Sequence, residues 1–262
     1  MRNPLFIVLL LAGVSACKTE PPLSPGGKHQ PLSLAPGMII AGSDTISGVM
    51  LCQCLITENP LGASNVAGTY WTRYTTMAQF FDTTSTFPVS AGDVMLNGIS
   101  IPASDNLYIT TTNQPFATSH HWQVAGNTSG TVPSMDTTVQ APSFFHVTYP
   151  RPIIDTVSKT TGFSCTYGNP GTDSVAIQIA YDSVMTGVID TGIHNMRPDP
   201  VDTVVPNTGS FFVGSAMLAA FPSSGVIQIF IAAYNYKRIY VASKEYVVAA
   251  VSRARTYGII KN

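Results

Sequence analysis

Short strand-like runs separated by turn residues recur along the chain about every ten residues, and this spacing constrains the fold more than any other feature. The first half contains the runs TISGVMLCQCLI, TYWTRYTTMAQFFD and HHWQVAG. Such runs are rich in β-branched and aromatic residues, which favour strands. The pair Asn97-Gly98 predicts a two-residue hairpin turn. The pattern is typical of a sandwich or barrel, so the chain is expected to be all-β.

A second series of strand-like runs begins after Tyr149-Pro150-Arg151-Pro152 and includes DSVAIQIAYDS and GVIQIFIAAYNYKRIY. Only 10% of the 262 residues are charged, so the lysines and glutamates of solvated helices are scarce. Hydrophobic residues make up 45%, which is enough for a substantial core. We therefore predict two consecutive antiparallel β-sandwich domains of the immunoglobulin-like type, at residues 41–150 and 151–262.

The first 16 residues, MRNPLFIVLLLAGVSA, have the three parts of a secretory signal peptide. Arg2 is followed by the apolar run Leu5 to Leu11 and then by small residues. The apolar run is too short to cross a bilayer, which takes about 20 residues. Residues 17–40 are rich in proline and glycine and predict a flexible tether.

The stretch Val14-Ser15-Ala16-Cys17 resembles the lipobox of bacterial lipoprotein precursors. The resemblance implies that the Cys17 thiol receives a diacylglycerol, that the chain is cut before Cys17, and that the new amine is acylated, for example by palmitate. Several acyl chains anchor durably, at about 0.8 kcal/mol per buried methylene. The alternative is an ordinary signal peptide with an accidental cysteine after Ala16.

The lipobox resemblance also implies a location. Lys18 follows the cysteine, whereas an aspartate there retains a lipoprotein in the inner membrane. We therefore expect a Gram-negative cell envelope and a protein anchored in the outer membrane through acylated Cys17. Surface exposure and a periplasmic orientation both stay open.

The combination of lipobox, proline-rich tether and tandem sandwiches resembles a broad class of bacterial envelope lipoproteins. Architecture alone does not fix function. The leading hypothesis is a non-enzymatic protein that binds a ligand, with a polysaccharide or another surface component as its partner. The alternative is a structural or assembly subunit of an outer-membrane complex, whose partner would be an envelope protein. An extracytoplasmic hydrolase is the third hypothesis.

Sequence motifs give no support to an enzyme, a cofactor or a metal site. The chain lacks the Gly-x-Ser-x-Gly and His-Glu-x-x-His patterns as well as phosphate-binding loops. His120 and His121 would point to opposite faces of a strand and so would not share an ion. The net charge is −1. Arg253, Arg255 and Lys261 are too sparse to track a polyanion, so no nucleic-acid partner is predicted.

The three remaining cysteines, Cys52, Cys54 and Cys165, are interpreted as small buried hydrophobes. Cys52 and Cys54 lie on the same side of one strand, where they rarely meet the geometry of a disulfide. A bond from either of them to Cys165 stays open, because export allows oxidation.

The run AAYNYKRIY supplies the candidate binding residues. Regular pairing would place Tyr234, Tyr236, Arg238 and Tyr240 on one strand face. Aromatic rings beside polar groups form the sugar-binding platforms of many sandwiches. The alternative interpretation is that these tyrosines pack along the core edge or in a cross-strand ladder.

A recurring tripeptide places Asp before Thr or Ser and then an aliphatic residue or Thr. It begins at Asp44, Asp82, Asp136, Asp155, Asp173, Asp182 and Asp202. We interpret it as a turn-closing aspartate followed by the start of a strand. It also resembles the O-glycosylation acceptor motif of some bacterial envelopes, and this alternative stays open.

Overall fold

A computed structural model of the protein describes residues 46–58, 70–82, 88–111, 118–152, 155–183, 186 and 200–262. This part of the chain contains sixteen strands, β1 to β16. Helical backbone occurs in it at Ser183 and Thr186. None of its helices is long and apolar enough to cross a bilayer.

The largest sheet has nine strands and includes residues from both halves of the sequence. Its strands, in spatial order, are β13 (Val201–Pro206), β12 (Ser174–Tyr181), β15 (Ser224–Val241), β16 (Lys244–Lys261), β1 (Ile46–Glu58), β2 (Tyr70–Phe80), β6 (Leu107–Thr110) and β5 (Ala103–Ser104), with β10 (Thr156–Ser158) paired to the end of β16. β15 and β16 form a hairpin whose strands have 18 residues each. This long hairpin is the centre of the sheet.

Two smaller sheets complete the fold. The four-stranded sheet contains β4 (Ile99–Ser100), β3 (Val94–Leu96), β7 (Ser119–Val124) and β8 (Met135–Gln140), in that order. The three-stranded sheet contains β14 (Ser210–Val213), β11 (Phe163–Tyr167) and β9 (Val147–Tyr149). The predicted Asn97-Gly98 turn joins β3 to β4, and both residues have positive φ (52° and 77°), as a type I′ turn requires.

Two hydrophobic cores lie on one face of the large sheet, which we call the core face. The first core packs the large sheet against the four-stranded sheet, with Met50, Trp122 and Tyr246 fully buried. The second packs it against the three-stranded sheet, with Ile177, Ile229 and Cys165 fully buried. The hairpin supplies side chains to both cores, because alternate residues of each strand point to the same face.

The opposite face of the large sheet, which we call the far face, carries a third apolar cluster. Its buried members are Val49, Leu51, Met77, Ala232, Tyr234, Val247, Ala249 and Val251. All of them belong to strands of the large sheet. The central strands are therefore apolar on both faces, which explains why their sequences read as nearly continuous hydrophobic runs.

The predicted all-β sandwich fold is confirmed, and two pairings in it are parallel. β1 and β10 both run parallel to β16, whereas the remaining ladders of the large sheet are antiparallel. The expected boundary at residues 150–151 lies between β9 and β10, yet β1 pairs with β16 across eleven residue pairs. The division into two domains stays a prediction, and any such division must share the hairpin between the two units.

Candidate functional site

The four candidate binding residues lie on the far face of β15. Pairing between β15 and β16 is regular from Ser224↔Lys261 to Val241↔Lys244. Side chains at even positions of β15 therefore share one face. Tyr234, Tyr236, Arg238 and Tyr240 form a single row, which we call the tyrosine row, and the row leads toward the hairpin turn.

Exposure increases along the tyrosine row toward the turn. Tyr234 is only 9% exposed and belongs to the far-face apolar cluster, whereas Tyr240 is 69% exposed. Tyr236 is half-buried, and its ring centroid lies 6.4 Å from that of Tyr234 with a tilt of 33°. The base of the row thus packs into the far-face apolar cluster, and its tip presents an aromatic ring to solvent.

An ion pair fixes the cation of the tyrosine row. Arg238 Nη1 donates to Glu245 Oε1 over 2.5 Å, and Glu245 is largely buried. Glu245 also faces Tyr240 across the two strands. The ion pair therefore ties Arg238 to the residue that pairs with Tyr240, so a charged polar group and an exposed ring follow each other on one face of β15.

The turn at the end of the hairpin has an unusual composition. Ala242 and Ser243 have φ of 51° and 63°, the left-handed values that normally favour Asn and Gly. The adjoining Lys244 donates through Nζ to the carbonyl of Thr131, in the loop between β7 and β8. The tip of the hairpin is therefore attached to the loop between β7 and β8 of the four-stranded sheet.

The consecutive histidines point to opposite faces, as predicted from strand geometry. His120 is fully buried, and burial lowers its pKa to about 4. The exposed His121 makes a 2.6 Å hydrogen bond through Nε2 to Asp136, whose second oxygen accepts from Gln123. The His121 contact holds the pKa of Asp136 below its usual value. Within the described ranges, no three His, Cys, Asp or Glu side chains converge as a metal site would require.

All three cysteines of the described fold are buried and free. Cys52 and Cys54 lie in the first core and Cys165 in the second, so no disulfide joins them here. Burial raises the pKa of these thiols, to about 11 for Cys52 and about 12 for the other two. They act as small core residues. Cys17, with the lipobox and the tether, lies outside the described residues.

The described Asp-Thr/Ser tripeptides do not share one kind of position, since Asp82 and Asp182 come just after strands β2 and β12. Asp155 accepts from the backbone and guanidinium of Arg151 and precedes β10, and Asp173 precedes β12, so both fit the turn interpretation. Asp136 and Asp202 instead lie inside β8 and β13, so the turn interpretation is wrong for them. Thr137 is buried, whereas Thr156 is exposed. The tripeptide at Asp44 lies outside the described residues.

Sequence reasoning missed a cluster of arginine and aromatic side chains on the same far face. The Cζ atoms of Arg253 and Arg255 lie 5.2 and 5.8 Å from the centroid of the Phe230 ring. Arg255 also lies over Tyr257, at 5.4 Å. The alternation of Arg253, Arg255 and Tyr257 along β16 was the available signal, but only the pairing register brings Phe230 opposite Arg255.

No protein-family model matches this chain, and no curated protein matches it either.

Proposed function

We propose that this protein is a lipid-anchored protein of the Gram-negative cell envelope whose β-sandwich fold binds a ligand without catalysis. Anchoring is through acylated Cys17, in the outer membrane, with residues 1–16 as the signal peptide and residues 17–40 as the tether. The lipobox-like stretch Val14–Cys17 carries this part of the proposal. A polysaccharide at the tyrosine row is the proposed ligand.

The observation that carries the binding proposal is the exposed end of the tyrosine row. Tyr240 presents a ring that is 69% exposed beside the fixed guanidinium of Arg238. A large aromatic ring loses little conformational entropy when it stacks, and its face suits the apolar face of a sugar ring. Tyr234 packs against the Tyr236 ring and is too deeply buried to touch a ligand.

Binding is tested on a glycan array with the full chain and with Tyr240→Ala. Loss of a central stacking contact should weaken binding to the preferred polysaccharide by about tenfold, which corresponds to about 1.4 kcal/mol. Phe212→Ala is the matched control, because Phe212 is a comparably exposed ring (57%) on a different sheet. A wild-type protein that binds no polysaccharide on the array would refute the carbohydrate proposal.

Anchoring is tested separately by metabolic labelling with a radioactive fatty acid. Wild-type precursor should incorporate label and Cys17→Ser precursor should not. The neighbouring Lys18→Ser variant keeps the thiol and should label normally. Incorporation of label into Cys17→Ser would overturn the anchoring proposal and leave the binding test unaffected.

A structural or assembly subunit is a second candidate, supported by two exposed hydrophobic side chains on edge strands. Ile99 lies on β4 and Phe212 on β14, which are edge strands of the four-stranded and three-stranded sheets, and they are 51% and 57% exposed. Edge strands with exposed apolar side chains are natural places for pairing with another chain. Ile99→Lys and Phe212→Lys should then abolish recovery of the protein in a large envelope complex and leave its stability unchanged.

A further inference from the structure

The far face of β16 carries two arginines that the tyrosine row does not use. Arg253 and Arg255 are two residues apart on a regularly paired strand, so their side chains project from the same face of the sheet. Their Cα atoms are about 7 Å apart. Their neighbours on β15 are Ala232 and Phe230. On the other side, β1 places Leu55 beside Arg253 and the buried Thr57 beside Arg255.

One aromatic ring orients both guanidinium groups. Each Cζ atom lies within 6 Å of the Phe230 centroid, at 5.2 and 5.8 Å, which is the range of a cation–π contact. Tyr257, two residues further along β16, contacts the same arginine, with 5.4 Å between the Arg255 Cζ atom and the centroid of the Tyr257 ring. The two side chains are also half-buried, so their rotamers are restricted before any ligand arrives.

The positive charge of this pair is not compensated by a carboxylate among the described residues. The ion pairs of this part of the chain join His121 to Asp136, Arg151 to Asp155 and Arg238 to Glu245. In the described part of the fold, the Nε atoms of Arg253 and Arg255 are buried and have no hydrogen-bond partner.

Two acidic side chains of the strands on that side of the far face are hydrogen-bonded to amides. Asp182 accepts a hydrogen bond from Gln228, which faces Tyr257 across β15 and β16. Asp202 is bonded to Gln178, and burial raises its pKa. The row Asp202, Gln178, Phe230, Arg255 runs across four neighbouring strands, so the carboxylate is separated from the guanidinium by two intervening strands.

Two adjacent cations without a counter-charge are costly to bury. Burial, with a contribution from the charge of Arg255, lowers the pKa of Arg253 to about 10. An oxyanion between the two guanidinium groups would remove this cost, because planar guanidinium donors match the oxygens of a carboxylate or phosphate.

We propose that Arg253 and Arg255, held by Phe230 and Tyr257, form a binding site for one oxyanion group, a carboxylate or a phosphate, on the far face of the large sheet. The site stands apart from the tyrosine row and does not depend on the proposed function. The chain as a whole has a net charge of −1, and a pair of arginines suits a single anionic group and not a polyanion.

Isothermal titration calorimetry of the full chain in detergent tests the site, with sodium phosphate and sodium glucuronate as separate probes in a chloride buffer of low ionic strength. We expect at least one probe to bind, and the tighter of the two identifies the source of the oxyanion. Arg253→Gln and Arg255→Gln should each weaken that binding by about 10- to 100-fold, because each removes charge-assisted hydrogen bonds.

Lys261→Gln is the matched control, because Lys261 is an exposed cation on the same face of the same strand, where it pairs with Ser224 and not with Phe230. It should leave binding unchanged. Arg253→Lys and Arg255→Lys keep the charge and the stem, so they serve if a glutamine variant does not fold, and they should weaken binding less than glutamine does. Absence of binding for both probes, or equal weakening by Lys261→Gln, would overturn the proposal.

Discussion

At the residue scale, single buried groups make the strongest demands on the surrounding fold. His120 is a titratable ring that is buried on β7. Gly126 is a backbone position without room for a side chain. Neither demand is visible in the immediate neighbours along the chain, because the burial of His120 depends on the packed core and the crowding at Gly126 on the fold of its own loop.

His120 should make the protein sensitive to mild acid. Its folded-state pKa of about 4 lies below the unfolded value of 6.5. The unfolded chain therefore takes up a proton first as the pH falls, and stability present above pH 6.5 is lost progressively toward pH 4. The loss attributable to His120 is up to about 3 kcal/mol in the free energy of unfolding.

Urea unfolding at pH 7.5 and pH 4.5 measures this effect in wild type and in His120→Gln. The variant should lose less stability between the two pH values than wild type does. Trp122→Phe is the control, because it alters a buried neighbour that does not titrate and should leave the pH dependence as it is in wild type. An identical pH dependence in His120→Gln would contradict the prediction.

Gly126→Ala should destabilise the fold more than Gly130→Ala in the same loop. Both glycines have positive φ, 82° and 70°, so alanine is strained by about 1–2 kcal/mol at either. A Cβ at Gly126 would also lie 2.7 Å from the Ser134 nitrogen and 2.9 Å from the Val132 oxygen, whereas one at Gly130 meets nothing within 4 Å. The backbone contacts add about 1–3 kcal/mol.

Chemical denaturation of the two alanine variants measures this difference directly. Since the strain in φ is common to both, the excess loss at Gly126 reports the close approach of the 132–134 backbone. Equal losses of stability in the two variants would show that the loop moves aside without cost.

At the element scale, the long hairpin β15–β16 combines an extended, regular ladder with an unfavourable turn. The pairing has 18 rungs and no register shift. The turn residues, by contrast, are Ala242 and Ser243 in left-handed conformations, where Asn and Gly are favoured. Lys244 beside the turn holds the hairpin tip through its hydrogen bond to the Thr131 carbonyl.

Replacing the turn with Ala242→Asn and Ser243→Gly should stabilise the protein by about 0.5–1 kcal/mol. The left-handed strain of about 1–2 kcal/mol is relieved, and the greater freedom of glycine in the unfolded chain offsets part of the gain. Guanidinium chloride unfolding measures the change. Gly98→Ser is the reverse control at a favourable Asn-Gly turn and should destabilise, whereas a destabilised Asn-Gly variant at 242–243 would contradict the prediction.

At the scale of the whole molecule, the two cores lie on one face of a common sheet. The hairpin enters the second core through Ile229 and the first core through Val248. β1 adds a parallel strand from the start of the described chain to the same hairpin. The architecture therefore couples two packing units through continuous hydrogen-bonded strands, which favours a single cooperative unfolding transition.

Hydrogen exchange should show this coupling. Met50→Ala creates a cavity in the first core and should cost about 2–5 kcal/mol. The loss of protection should extend to the slowest amides of the second core, because both cores open with the hairpin. Ile179→Ala is the reciprocal variant in the second core. Unchanged protection of the second core in Met50→Ala would contradict a shared unfolding unit.

Much of the fold and part of the candidate site follow from local sequence. The strand periods of β1, β7 and β15, the Asn97-Gly98 turn and the opposite orientation of His120 and His121 all result from the two-residue alternation of a strand. The single face of the tyrosine row has the same origin. These features are local, so neighbouring residues suffice to predict them.

The remaining features were decided by tertiary structure, because they depend on which strands become neighbours. Sequence periodicity does not specify that β1 runs parallel beside β16, that one hairpin serves two cores, or that Tyr234 is buried while Tyr240 is exposed. The same holds for the contact between Phe230 and the arginine pair, because Phe230 lies on a different strand and meets Arg253 and Arg255 only through the register of β15 against β16. The sequence by itself determined a β protein with alternating faces, and long-range pairing decided which of those faces became core and which became a site.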